Sequence, residues 1–191
     1  MRIAIAPIAV CVVIAAAGCT PSGESVSNQS TSSQPPSSPT STESTTTAAP
    51  AIAGFPDLSN YTEDTSGSYE AINRPRLQGF RFSTPNGLIC ISNAYPDVEY
   101  ETVGCRGPMP QEGPGVWSVD ASRGQQTTVE SITGDPSYAA AVKDPPPVLP
   151  PMRKLIAAKG DAVCAVDDKG MTACRVGDHG FVLTPTSTKL F

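Results

Sequence analysis

Four cysteines follow Phe55, at positions 90, 105, 164 and 174, and they constrain the fold more than any other feature. In an oxidising compartment an even number in a small domain reads as disulfides, and four allow three pairings. The local sequence favours one of them. In Cys164-Ala-Val-Asp-Asp-Lys-Gly-Met-Thr-Ala-Cys174, two β-compatible runs flank Asp168-Lys169-Gly170. A three-residue hairpin loop ends on a left-handed residue, usually glycine because it has no Cβ to clash. With Gly170 in that position, Asp167 faces Met171, Val166 faces Thr172, Ala165 faces Ala173 and Cys164 faces Cys174. Directly opposed Cβ atoms lie close enough to be bridged. Cys90 and Cys105 then form the second pair. Leu88-Ile89-Cys90-Ile91 reads as a strand and Tyr100 to Cys105 as its return. Tyr95-Pro96-Asp97-Val98 supplies a turn, with Pro96 at the second position of type I. Zinc is the alternative use of four cysteines, but no C-x-x-C and no nearby histidine supports it.

The remaining β-compatible runs are short. Phe80–Ser83, Gly115–Val119, Gln126–Thr133, Met152–Ala158 and Gly180–Leu183 are each bounded by Gly, Pro, Asn or Asp. No long amphipathic helical period occurs, and Pro136–Lys143 fits two helical turns or a loop equally well. Asp144-Pro145-Pro146-Pro147-Val148-Leu149-Pro150-Pro151 reads as a stiff connector between two halves. Each half carries a disulfide hairpin ending in Cys-Arg (Cys105-Arg106, Cys174-Arg175), a hint of a weak internal repeat. The expected fold is a mainly β, disulfide-stapled antiparallel domain over residues 55–191.

The start of the chain is organised differently. Arg2 is followed by an apolar stretch from Ile3 to Ala17, shorter than the roughly 20 residues a spanning helix needs. It fits a secretory signal, expected over residues 1–18. Ala16-Ala17-Gly18-Cys19 resembles a bacterial lipobox, although that pattern prefers Leu where Ala16 stands. Cys19 is therefore the expected site of lipid attachment, and its acyl chains, palmitate among them, the expected contact with the membrane. Residues 19–54 are expected to be a disordered linker. Thr20 to Pro50 holds ten Ser, seven Thr and five Pro, and Val26 is its only large aliphatic residue. Such a segment buries too little apolar surface to offset the entropy of ordering.

Phe80-Arg-Phe82-Ser-Thr-Pro85-Asn-Gly87-Leu-Ile-Cys90 is one recurring motif. A second runs from Cys164 through Met171-Thr-Ala-Cys174 and His179-Gly180-Phe181-Val-Leu183-Thr-Pro185 to Leu190-Phe191. Together they resemble a family of small actinobacterial lipoproteins and exported proteins of mycobacterial type. The resemblance covers most of residues 55–191. It implies an extracytoplasmic location and disulfides, and it carries over no catalytic residue.

Charge and motif content exclude several functions. Thirteen Lys and Arg stand against 18 Asp and Glu, for a formal net charge of −5, so the basic footprint of a nucleic-acid binder is missing. A single histidine limits imidazole chemistry to His179. Its neighbour Asp178 would point to the opposite face of a strand and so could not orient it. No Gly-x-Ser-x-Gly, phosphate loop or dinucleotide fingerprint occurs. Asp178-His179-Gly180 reads best as a turn before the last strand. Asp167-Asp168 reads as turn chemistry rather than a calcium cage. Asp97, Glu99 and Glu101 read as a solvated face, and Trp117 as a packing residue.

No metal, cofactor or catalytic set is expected. The expectation is a membrane-anchored envelope protein on the extracytoplasmic face that binds another protein or a glycan rather than catalysing a reaction. Its candidate binding residues are Trp117, Asp178 and His179. The alternatives are a small hydrolase built on His179, or a lipid or small-molecule carrier with an internal apolar cavity.

Overall fold

A computed structural model describes residues 52–71 and 75–191. The signal segment 1–18, the expected lipid site Cys19 and most of the linker 19–54 lie outside the described residues. The strands are β1 (Thr62–Glu63), β2 (Arg81–Ser83), β3 (Ile89–Asn93), β4 (Thr102–Gly107), β5 (Trp117–Ser122) and β6 (Gln125–Ser131), followed by β7 (Arg153–Ile156), β8 (Val163–Val166), β9 (Thr172–Val176), β10 (His179–Thr184) and β11 (Ser187–Leu190). One helix, α1 (Pro136–Lys143), is capped by Asp135, whose carboxylate accepts from the Ser137 amide. Pro136 at its first position needs no amide partner there.

Strand order follows chain order almost throughout. β2-β3-β4-β5-β6 form one antiparallel meander and β7-β8-β9-β10-β11 a second, with β1 added in parallel to the outer edge of β7. Each meander carries its disulfide between its second and third strands. Cys90 is bonded to Cys105 and Cys164 to Cys174, and in both pairs the cysteines stand directly opposite each other. The hint of repetition in the two Cys-Arg pairs is thus matched by two five-stranded meanders of the same connectivity.

The hairpin register agrees with the turn argument. Val166 pairs with Thr172 and Ala165 with Ala173, the Asp167 amide donates to the Met171 carbonyl, and Gly170 has φ +85°. The other hairpin differs from expectation in its loop. The Tyr95–Pro96 peptide is cis, so Pro96 does not occupy the second position of a type I turn. The chain then makes a 3₁₀ turn over Val98–Tyr100, capped by Asp97, and only afterwards enters β4. Tyr100 is therefore in the turn rather than in the returning strand.

The two meanders stack face to face on one core. Phe82, Cys90, Val103, Cys105 and Val119 enter it from one sheet, and Cys164, Val166, Cys174, Val176 and Phe181 from the other. All ten are essentially inaccessible to solvent. Burial of each large apolar side chain contributes about 1.5–3 kcal/mol. The proline-rich connector serves as more than a spacer. It runs beside β2, where the Ser83 amide donates to Pro147 and the Leu149 amide to Ser83, and Leu149 drops fully into the core. Trp117 is half-buried against the core, with its indole N–H on the Gly113 carbonyl at 3.3 Å.

Two stability predictions follow from this packing. Each disulfide closes a short loop, so Cys164→Ala with Cys174→Ala should lower unfolding free energy by about 2–3 kcal/mol. Urea denaturation of the double variant against the parent, both non-reduced, measures this. A loss well under 1 kcal/mol would mean that the strand ladder alone holds the hairpin. The Thr172 hydroxyl, by contrast, is buried with no hydrogen-bond partner among the described residues. An orphaned buried hydroxyl is unfavourable, so the near-isosteric Thr172→Val should raise stability by about 1 kcal/mol in the same measurement.

Candidate functional site

Asp64 ends β1 after two residues. Its carboxylate accepts from the Ser66 amide at 3.0 Å and from the Ser66 hydroxyl at 2.6 Å, a local turn that draws the chain away from β7. The same bonds, the hydroxyl first, hold the Asp64 carboxyl below its ordinary pKa. Up to that point the parallel ladder is regular, with the Thr62 amide on the Met152 carbonyl and the Asp64 amide on the Lys154 carbonyl. Strand geometry repeats every two residues, so the backbone N–H and C=O of Ile156 face the same edge. The chain has already turned off, and no backbone hydrogen bond to the β1 segment continues the ladder at Ile156.

The facing wall is Tyr69–Ala71, an irregular stretch that extends the β2 side of the other sheet. The Arg81 amide donates to Tyr69 and the Ala71 amide to Gly79. Between this wall and the β7 edge lies a solvent-open cleft of about 580 Å³. Its floor is apolar and built from the side chains of Tyr69, Phe80, Leu155 and Ala157, all buried. Ile156 lines it with 44% of its surface exposed. Tyr69 is fixed by its hydroxyl, which donates to the Val148 carbonyl at 3.0 Å, and burial pushes that phenol's pKa up.

Charge is distributed unevenly around this floor. Among the described residues, Glu63, Asp64 and Glu70 line the cleft with one ammonium, Lys159. Lys159 is already engaged, its Nζ donating to Gln78 Oε1 at 2.8 Å and to the Pro96 carbonyl at 3.4 Å. Glu63 and Glu70 take part in neither ion pair found among the described residues. A smaller cleft of about 250 Å³ lies against the same Tyr69–Ala71 wall and is lined also by Arg81 and Pro145–Pro147.

The residues singled out from sequence do not meet in either cleft. His179 is the first residue of β10, paired with Val176 across the Gly177-Asp178 turn. It therefore begins a strand rather than sitting within a turn, and that strand is not the last, because β11 follows. No hydrogen bond joins His179 to Asp178 among the described residues, and Asp178 is exposed. Trp117 lines neither cleft. Asp167 serves the hairpin, its carboxylate accepting from the Lys169 and Met171 amides.

Glu101 is the clearest correction. It does not belong to a solvated face: its side chain is 0% exposed. One carboxylate oxygen accepts from the Ala162 amide at 2.9 Å, and the other from Arg123 Nη2 at 2.6 Å. The same Arg123 nitrogen reaches Asp161 Oδ1 at 2.6 Å, and that oxygen also accepts from the Gly177 amide. The hydrogen bond to Glu101, first among its causes, raises the Arg123 pKa further. This network joins the entry to β4 and the β5–β6 turn of one sheet to the β7–β8 and β9–β10 turns of the other. Gly160 must stay glycine, because a Cβ there would overlap the Glu101 carboxylate. With its oxygens committed to these partners, Glu101 acts as a structural staple rather than as a reactive group.

The sequence did carry a signal for the cleft. Leu155-Ile156-Ala157-Ala158 is apolar at both parities, and Glu63 to Ser68 is a polar, turn-forming run. A strand apolar on both faces beside a neighbour that stops early leaves apolar surface and an open edge together. No protein-family model, curated protein or solved structure matches the chain. What defines it is its own architecture, two stacked β meanders, each with a buried cystine, and one open-edged cleft.

The Glu101 staple can be tested directly. Glu101 is the enclosed acceptor for the Ala162 amide, and leaving a buried donor without a partner costs about 1–3 kcal/mol. Glu101→Ala should fall in that range by urea unfolding, whereas Glu99→Ala, two residues away and exposed, should stay within about 0.5 kcal/mol of the parent. Equal effects at the two positions would refute the staple.

Proposed function

We propose that this chain is a lipid-anchored envelope protein whose β domain is a non-enzymatic binding module, working through the cleft between the β7 edge and Tyr69–Ala71. The anchor reading rests on the lipobox-like Ala16-Ala17-Gly18-Cys19 and the Ser/Thr/Pro-rich segment after it. Among the described residues no helix is long and apolar enough to cross a membrane. In this reading the acyl chains on Cys19 make the membrane contact.

The observation that carries the binding reading is the cleft itself. Its volume of about 580 Å³ lies within the range of ligand sites, roughly 300–1,000 Å³. Apolar side chains floor it, and carboxylates line it together with the Ile156 backbone groups, which have no hydrogen bond to the β1 segment among the described residues. That combination suits recognition: apolar area supplies affinity and a few polar groups fix orientation. His179 lines neither cleft, and the main cleft opens to solvent, so neither a hydrolase nor an enclosed-cavity carrier gains a supporting observation.

Two measurements test this reading. Intact mass of the membrane-extracted protein should show acyl chains on an N-terminal Cys19, and Cys19→Ala should release the protein from membranes. An unmodified mature terminus elsewhere would refute the anchor. For the cleft, a photo-crosslinking side chain at Ile156 should capture an envelope component in intact cells. The same group at Val142, exposed on α1 and lining neither cleft, should capture none. Equal yields at both positions, or none at either, would refute the cleft as the binding site.

A further inference from the structure

The open edge of β7 says more about what the cleft takes, on the reading that the cleft is the binding site. We propose that it binds an extended, basic segment of a partner polypeptide, which adds to β7 as a short strand where β1 leaves off.

The first argument is backbone chemistry. Asp64 turns the chain off the ladder, and the N–H and C=O of Ile156 are left facing the cleft with no partner from the β1 segment. An unpaired strand edge is a template for another strand, because a polypeptide presents donors and acceptors at the same spacing. A glycan or an acyl chain has no such repeat. The added strand would continue the line of β1 and lie between two existing walls.

The second argument is side-chain chemistry. Successive residues of an added strand point to opposite sides. One set would meet the apolar floor of Tyr69, Phe80 and Leu155, and the other would point outward past the exposed Ile156. At the rim, Glu63 and Glu70 stand outside both ion pairs of the described residues, while Lys159, the one cation among the described lining residues, is tied to Gln78 and Pro96. Among the described residues that line the cleft, three carboxylates stand against one engaged ammonium, so a Lys or Arg in the segment fits and an acidic segment does not.

The probe is a random dodecamer peptide library panned on the full-length lipidated protein in detergent. Enriched peptides should carry Lys or Arg beside alternating apolar residues. A strand on an edge uses only every second amide. N-methylating one alternate set of peptide amides should therefore weaken binding at least tenfold, while methylating the other set changes it less than twofold. Glu63→Gln with Glu70→Gln, both at exposed positions, should weaken the best peptide about tenfold at low salt and flatten its salt dependence. The inference is overturned if nothing is enriched, if the two methylated sets behave alike, or if the double variant binds as the parent does. A glycan or lipid captured from Ile156, with no peptide enriched, would overturn strand addition while leaving the cleft as the binding site.

Discussion

Each meander buries a cystine between its second and third strands, and both cystines lie in the single core that the sheets share. The rest of the domain depends on that arrangement. A β structure of short strands must close many non-local contacts, and the core offers few large side chains to reward them. Aromatic residues are 6% of the chain, and Ala, Val and Cys fill much of the interior. Two bridges over short loops contribute roughly 5 kcal/mol together, mostly by restricting the unfolded chain. That is comparable with the whole net stability of a typical domain. The cystines also draw the opposed strands close together within the core. The Cα atoms are only 4.0 and 4.1 Å apart across them.

The Glu101 network complements this at one end of the sandwich. The disulfides act within sheets and cannot hold one sheet against the other. Hydrophobic contact does so without directional preference. Glu101, Arg123 and Asp161 fix the relative position of three turns from both sheets through charge-assisted hydrogen bonds. Arg123 remains about a third exposed, so its charge keeps some hydration while Glu101 is wholly enclosed. The enclosed carboxylate is tolerable because backbone amides of Asp161 and Ala162 solvate it in place of water.

What was legible in the sequence was local. The register of Cys164–Cys174 followed from one glycine in a three-residue loop, and such chemistry depends on no distant partner. Most strands were visible for the same reason, as short runs between turn residues. β1 was not, because two residues form a strand only when β7, about ninety positions later, lies beside them. The cleft depends on that pairing and on where it stops, so its residues are scattered through the chain. Glu101 was misread for a subtler reason. Asp97, Glu99 and Glu101 alternate as a solvent face of a strand would. The 3₁₀ turn over Val98–Tyr100 breaks that phase, and Glu101 emerges pointing inward.

The chain's route into the domain bears on how independent the cleft is. Phe55 packs on Phe191 with ring centroids 6.1 Å apart, and the Arg175 guanidinium sits 5.4 Å from the Phe55 centroid. Phe191 in turn exchanges backbone hydrogen bonds with Gly180 of β10. Phe55 is therefore gripped at β9 and β10, while β1 lies at the far edge of the same sheet. Three strand spacings separate β9 from β1, about 14 Å. The residues from Phe55 to Thr62 can span that with slack, since an extended chain covers about 3.3 Å per residue. A pull on the chain ahead of Phe55 would load β9, which is bonded through Cys174 to β8, before it reached the two-residue β1.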